Sequence, residues 1–291
     1  MPELPEVETV KIGLGRLLPG RRVKAVDFDW PKSFPNAPAD VERFLVDAEV
    51  VEVARRAKVL LIELSSKYSL VIHLKMTGQL VFRSAETSFG AGHPNASLVG
   101  DLPDKSTRVT ITFEDGSKLF FNDQRKFGWM RLLPTAEVVN LDFFKKVGPE
   151  PLAADFNWRD MKQRLLRRKN TSVKAALLDQ TVIAGVGNIY ADEALWGAKI
   201  HPATLVHGLS DAKFHGLYDA LVAVLRLSIE KGGSTDRNYV DAEGRRGSYL
   251  SFANVFRRQG QACPRCGTVI VKTRVAGRGT HLCPHCQRLK I

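Results

Sequence analysis

The chain has 291 residues, enough for two domains with a sizeable core, and its 44% hydrophobic and 25% charged residues are ordinary globular proportions. No apolar run is long enough to span a bilayer, and the start has neither a basic stretch nor an apolar signal core, so the expectation is a soluble intracellular protein. Forty-three Lys and Arg against 31 Asp and Glu leave a net charge of +12, which favours a polyanionic partner, nucleic acid above all; a merely basic soluble surface is the competing reading.

The chain opens Met1-Pro2-Glu3-Leu4-Pro5-Glu6. Removal of Met1 would leave Pro2 with a secondary amine, a nucleophile toward an aldehyde-like carbon, with the acid of Glu3 beside it and Glu6 three residues on. Taken alone, the same residues read equally as prolines and acids that open a helix. Val7, Val10, Leu14, Leu17 and Leu18 predict that helix, and Pro19-Gly20 ends it. Short β-branched and aromatic runs follow at 23–30, 49–55, 59–64, 70–74, 108–113, 118–121 and 129–133, the pattern of a β-sandwich or barrel, with a short helix at 39–46. Residues 84–105, rich in Gly, Ser, Pro and Asn, predict a long surface loop, and 134–154, with Pro149-Glu150-Pro151, an interdomain linker.

Beyond it the period becomes helical, at 158–168, 173–178, 189–197 and 211–230. Ile183-Ala184-Gly185-Val186-Gly187-Asn188 places two glycines before a helix, which suits a phosphate, although Gly-x-Gly often marks only a tight turn. The polar stretch 234–250 predicts a mobile loop. All four cysteines follow: Cys263-x-x-Cys266, sixteen residues, then Cys283-x-x-Cys286, the spacing of a zinc ribbon. Four thiolates leave no position for substrate, so the implied Zn2+ is structural, with iron the minor alternative and His285 a bystander. From Val255 to Ile291 there are eight Lys or Arg and no acid, so Arg278, between Gly277 and Gly279, reads as a phosphate ligand rather than a solvated arginine.

Three further stretches carry candidate contacts. Lys58 ends the basic string Arg55-Arg56-Ala57-Lys58 at a strand mouth. His73 and Lys75 are expected on one strand face, with Met76 at the following turn. Arg125, Lys126 and Phe127 form a second turn with an aromatic tip. Exposed Met and Phe beside Arg suit insertion into a base stack and filling of the gap left by an extruded nucleotide. Core packing of Met76 and Phe127, and a satisfied buried His73, are the plainer alternatives.

Together these strings resemble the formamidopyrimidine-DNA glycosylase family of bacterial base-excision repair over nearly the whole chain: Pro2 to Thr9, Lys58, His73 to Gly78, Asn122 to Gly128, Leu177 to Gln180, Gly185 to Glu193, and Gly277 to Thr280 with the four cysteines. The Leu-Pro-Glu-Val opening is similar to this branch rather than to the endonuclease VIII branch. The resemblance implies that Pro2 attacks the anomeric carbon, Glu3 is the general acid, Glu6 supports the site, and Lys58 grips phosphate and assists elimination. It implies that Met76, Arg125 and Phe127 fill the vacated stack, that Asn188 and Arg278 clamp flanking phosphates, and that Lys174 takes part in recognition of the oxidised purine. His73 joins these as a DNA contact, and the loop 234–247 matches the segment that closes over the everted base. Ala57 departs from the pattern, standing where glycine commonly precedes the lysine; so do Arg257-Arg258 and the length of 84–105.

The expected fold is α+β: an N-terminal helix with a two-sheet β-sandwich (1–133), a linker (134–154), a helical domain with a helix–two-turn–helix (155–252) and a zinc ribbon (253–291). The expected function is a bifunctional glycosylase and abasic-site lyase that removes oxidised purines from damaged double-stranded DNA, as a monomer in the bacterial cytoplasm at the nucleoid. An oxidised-pyrimidine glycosylase and a noncatalytic zinc-ribbon binder of damaged DNA are the alternatives; a free proline amine argues against the second.

Overall fold

The computed structural model describes residues 2–93, 95–234 and 249–289. The chain divides into two compact units, Met1–Lys145 with Lys231–Ser248, and Lys146–Glu230 with Tyr249–Ile291.

The first unit begins with α1 (Leu4–Leu17), which buries Leu4, Val7, Val10 and Leu14 along one stripe. A reciprocal capping box fixes its start: the Glu6 carboxylate accepts from Glu3 N at 2.8 Å, and the Glu3 carboxylate accepts from Glu6 N. Strands β1 (Val23–Phe28), β2 (Val50–Arg56), β3 (Val59–Leu64), β4 (Tyr68–His73), β5 (Gly78–Arg83), β6 (Ser88–Gly92), β7 (Thr107–Phe113), β8 (Lys118–Asp123) and β9 (Trp129–Pro134) follow, with the short α2 (Pro38–Phe44) after β1 and α3 (Asp142–Lys146) after β9. They form two antiparallel sheets, ordered β1-β7-β8-β5-β6 and β2-β3-β4-β9. Leu60, Ile72, Phe82, Phe121 and their neighbours fill one core with α1. Gly13 lets α1 lie directly on β6, because a Cβ there would fall 2.2 Å from the Phe89 ring.

The second unit holds α4 (Trp158–Leu166), α5 (Val173–Leu178), α6 (Asn188–Gly197), α7 (Asp211–Glu230) and α8 (Tyr249–Phe252), then the hairpin β10 (Val271–Val275) and β11 (Arg278–Leu282). Phe214, Leu217, Leu221 and Leu225 of α7 pack with Met161, Leu177, Tyr190 and Leu195. The α5–turn–α6 unit is the expected helix–two-turn–helix. No described helix is long and apolar enough to cross a membrane.

Three expectations need correction. The stretch 84–105 contains the strand β6, paired with β5, because its small residues fit a close strand approach; composition had marked them as loop. The 134–154 stretch carries a 3-10 helix (Thr135–Asn140) and α3, whose Val138, Phe143 and Phe144 pack on the β4–β9 face. Lys75 does not continue the strand face of His73: β4 ends at His73, and Lys75 lies in a turn at φ +49°.

Candidate active site

Pro2, Glu3 and Glu6 are all buried at the N-terminal end of α1. Both oxygens of Glu6 are engaged: Oε2 accepts from Glu3 N at 2.8 Å and Oε1 from Ser234 N at 2.7 Å. Glu6 therefore ties the candidate nucleophile's neighbour to the start of the 234–247 loop. Gly233, at φ +88°, makes the approach possible, because a Cβ there would lie 3.3 Å from the carboxylate. The rest of that loop lies outside the described residues.

A relay from α1 reaches Lys58. Arg55 donates from Nε to Glu8 Oε2 at 2.6 Å and from an Nη to the Ala57 carbonyl at 2.7 Å. Burial works to raise the Glu8 pKa, but the hydrogen bond and charge of Arg55 hold it below its usual value. Arg56 pairs with Val59 across a two-residue turn, Ala57-Lys58. Ala57 sits at φ +55°, a first central position where such hairpins favour glycine. Lys58 is buried at that turn.

His73, at the end of β4, is buried beside Trp129 and Phe143. Burial, and then the charges of Lys75 and Lys58, push its pKa down to about 3, so it is neutral at physiological pH. Its Nδ1 accepts from Lys75 N at 3.0 Å, which places the ring proton on Nε2. The ring can thus offer one N–H to a phosphate while carrying no charge.

The two wedge turns form one assembly. Met76 is 39% and Phe127 55% exposed, unlike core residues of their size, and the Arg125 guanidinium stands 4.9 Å over the Phe127 ring. Fully buried Asp123 joins the turns: its Oδ1 accepts from Thr77 Oγ1 and from Arg125 N, and its Oδ2 from Gly128 N at 2.6 Å. Arg108 holds the Asp123 carbonyl from behind at 3.2 Å. Lys126 lies 3.8 Å over the Trp30 ring, which draws the second turn back onto the sheet.

In the second unit, Gln180 shapes the glycine-rich start of α6, accepting from Gly185 N at 3.0 Å and donating to the Val186 carbonyl at 2.8 Å. Asn188 opens α6 and donates from Nδ2 to the Gly279 carbonyl at 3.0 Å, next to exposed Arg278. The two expected phosphate ligands are thus neighbours. Lys174 requires a correction. It is 0% exposed, and its Nζ donates to Asp192 Oδ1 at 2.6 Å, Thr280 Oγ1 at 2.8 Å and the Gly279 carbonyl at 3.1 Å. An ammonium with three internal acceptors cannot also read a base; Lys174 positions the Arg278 hairpin. Asp192 completes the anchor by accepting from His281 N at 2.9 Å.

The Sγ atoms of Cys263, Cys266, Cys283 and Cys286 all lie within 4.8 Å of one another. Tetrahedral zinc, with Zn–S of about 2.3 Å, spaces its sulfurs about 3.8 Å apart, so the set fits one ion with no open position. Trp196 Nε1 donates to Cys263 Sγ at 3.4 Å, and buried Glu193 accepts from Asn254 N, Val255 N and Phe256 N, which ties the ribbon to α6.

Three family models match successive parts of the chain: the formamidopyrimidine-DNA glycosylase N-terminal domain over residues 1–130, its H2TH domain over 147–239, and the zinc finger found in FPG and IleRS over 260–289. The formamidopyrimidine-DNA glycosylase of Pelotomaculum thermopropionicum is 40% identical over 291 residues, covering 100% of both chains. The chain belongs to the formamidopyrimidine-DNA glycosylase family. A second family member, from Herpetosiphon aurantiacus, is 43% identical over 99% of this chain and 100% of its own. Among solved structures, a Lactococcus lactis FPG mutant in complex with Fapy-dG DNA matches with a TM-score of 0.86 and 34% identity, covering 99% of this chain and 100% of that one. MutM in complex with carbocyclic 8-oxo-G DNA matches at 0.85 and 33%, with the same coverage. The cysteine cluster together with the matching finger assigns one structural zinc to this family member.

Asp123, Asp192, Glu193 and Gln180 lie inside the strings that carry the resemblance, yet sequence reasoning gave them no role. The partners of the three acids are remote: Asp123 meets Thr77, Asp192 meets Thr280's neighbour His281, and Glu193 meets Asn254.

Proposed function

We propose that the chain is a bifunctional DNA glycosylase and abasic-site lyase that excises oxidised purines, 8-oxoguanine and formamidopyrimidines, from duplex DNA. What supports this reading is the burial of Pro2 and Glu3 at the start of α1, linked through Glu8 and Arg55 to the turn of Lys58, with exposed Met76, Arg125 and Phe127 on turns locked together by Asp123.

With Met1 removed, the Pro2 nitrogen attacks C1′ of the damaged nucleotide and the base departs. Glu3 protonates O4′ as the sugar ring opens, which leaves an iminium. That cation is an electron sink for loss of the 3′ and then the 5′ phosphate, assisted by Lys58. Glu6 positions rather than reacts, since both its oxygens are engaged. Met76 and Phe127 replace the extruded nucleotide in the stack, and Arg125 faces the orphaned base. Asn188, Arg278 and neutral His73 hold phosphates, and the basic surface supplies salt-dependent affinity. The ribbon zinc, closed by four thiolates, fixes the Arg278 hairpin and takes no part in the chemistry. Monomeric action at the bacterial nucleoid fits these roles, since every proposed group comes from one chain.

The preference for purines is supported by the related proteins' complexes with Fapy-dG and 8-oxo-G DNA. Single-turnover excision from oligonucleotides bearing 8-oxoguanine, a formamidopyrimidine or thymine glycol tests it. Faster release of the purine lesions is expected; faster release of thymine glycol would establish the endonuclease VIII type of specificity instead.

A further inference from the structure

One imidazole at this end of the sandwich has no part in the chemistry above. His93 directly follows β6, at the end of the sandwich toward which the start of α1 points. α1 crosses Phe89 at Gly13 and meets Arg55 at Glu8, so it runs back toward its start as β6 runs toward His93 and β2 toward Lys58. From Gly13 to Glu3 the helix covers about 15 Å at 1.5 Å per residue. From Phe89 to His93 the strand covers about 13 Å at 3.3 Å per residue. β6 ends where Gly92 pairs with Gln79 and Gly78 pairs with Asp123, and α1, antiparallel to β2 from Val50 at its end to Arg55 at Glu8, points its start toward the turn that carries Lys58, which pairs onward to His73.

The position of His93 is fixed by its surroundings. Its N–H donates to the Gly78 carbonyl at 3.1 Å. Fully buried Gln79 donates from Nε2 to the His93 carbonyl and to Asn95 Oδ1. Gly92, at φ +125°, lets the strands close: a Cβ would fall 2.4 Å from the Gly78 carbonyl oxygen and 2.7 Å from Gln79 Cα. The ring is half-buried. Burial, then the positive charge of the amino terminus, lowers its pKa, against Asp123 of β8, which raises it. Among the described residues the other ionisable groups at this end are Glu3 and Glu6 of α1, Lys58, His73 and Lys75. At neutral pH the imidazole is therefore in its base form.

We propose that His93 is the proton acceptor of the site, taking the proton from the proline nitrogen as that nitrogen bonds to C1′. The inference rests on Pro2 being the nucleophile. The nitrogen lone pair forms the N–C1′ bond, the C1′–base bonding pair leaves with the base, and the N–H proton passes to an imidazole nitrogen. The imidazolium then protonates the departing base, while Glu3 gives its own proton to O4′. Among the described residues no other group at this end is suited: Glu6 has both oxygens engaged, Glu3 must begin protonated, and a lysine ammonium has no lone pair.

The test is single-turnover excision and borohydride trapping on an 8-oxoguanine oligonucleotide from pH 5 to 9, with wild type and His93→Gln. The chemical step of the variant is expected to fall roughly 10²-fold at neutral pH and to lose the acidic limb of the wild-type profile, with DNA affinity unchanged. A rate within about threefold of wild type, with the same acidic limb, would overturn the proposal. Should the variant not fold, the 15N titration of His93 in wild-type protein bound to a reduced abasic analogue decides: its midpoint must coincide with the kinetic limb, and a mismatch overturns the proposal. Failure of wild type itself to form an adduct would instead remove the Pro2 reading.

Discussion

Asp123→Asn tests whether one buried carboxylate sets both wedge turns. The carboxylate accepts from Thr77 Oγ1 and Arg125 N through Oδ1, and from Gly128 N through Oδ2, with no exposure to water. The amide retains one acceptor oxygen and presents an NH2 to the other side. The Thr77 hydroxyl can turn to accept from that NH2; the Arg125 and Gly128 N–H groups cannot. Arg125 N keeps Thr77 Oγ1, 3.0 Å away, as an acceptor, so with the amide oxygen turned to Gly128 no backbone donor is stranded, and the loss is the charge assistance of the surviving bonds. That is about 1–2 kcal/mol of stability, with Phe127 and Arg125 held less firmly against the Met76 turn. Urea denaturation measures the first effect, and a fluorescent base analogue opposite the lesion reports insertion. A variant within about 0.5 kcal/mol of wild type that inserts at the wild-type rate would refute the clamp.

Three other substitutions probe separate links. Ala57→Gly should stabilise the protein by about 1 kcal/mol, since relief of about 1–3 kcal/mol of strain at φ +55° outweighs about 0.8 kcal/mol for the buried methyl; a lower melting temperature would contradict this. Lys174→Met should cost about 3–5 kcal/mol by leaving Asp192 without its ammonium, and should weaken binding to 8-oxoguanine and abasic DNA alike; a loss confined to 8-oxoguanine would restore direct base recognition. The folded-state pKa of His73 lies below the ordinary 6.5, so its contribution is fully present above pH 6.5 and is lost as pH falls toward about 3. His73→Gln should flatten the decline in stability between pH 6.5 and 4, by up to about 3 kcal/mol; an unchanged acid profile would show that the ring is not held neutral.

Much of this was legible in the sequence because its signals are local. The 3.6-residue stripe of α7, the hydrophobic runs of β3, and the paired Cys-x-x-Cys spacing each follow from neighbours in the chain. β6 was not legible, since Ser88-Phe89-Gly90-Ala91-Gly92 has one strand-forming residue among small ones; its glycines serve close approach to Leu98 and Gly78 instead. The exposure of Met76 and Phe127 could not be read either, because apolar side chains at a turn look the same in a core or on a wedge. Lys174 was misread for a related reason. A lysine in a recognised string carries no mark of burial, and its partners Asp192 and Thr280 are 18 and 106 residues away.

The central claim is the covalent role of the Pro2 amine. It is tested most directly by incubating the processed wild-type protein with an oligonucleotide carrying one 8-oxoguanine, reducing with borohydride, and sequencing the adduct by mass spectrometry. A stable protein–DNA adduct attached at Pro2 is expected, and none when Met1 is retained. Excision without any trapped adduct, or an adduct on Lys58 with Pro2 free, would contradict the account.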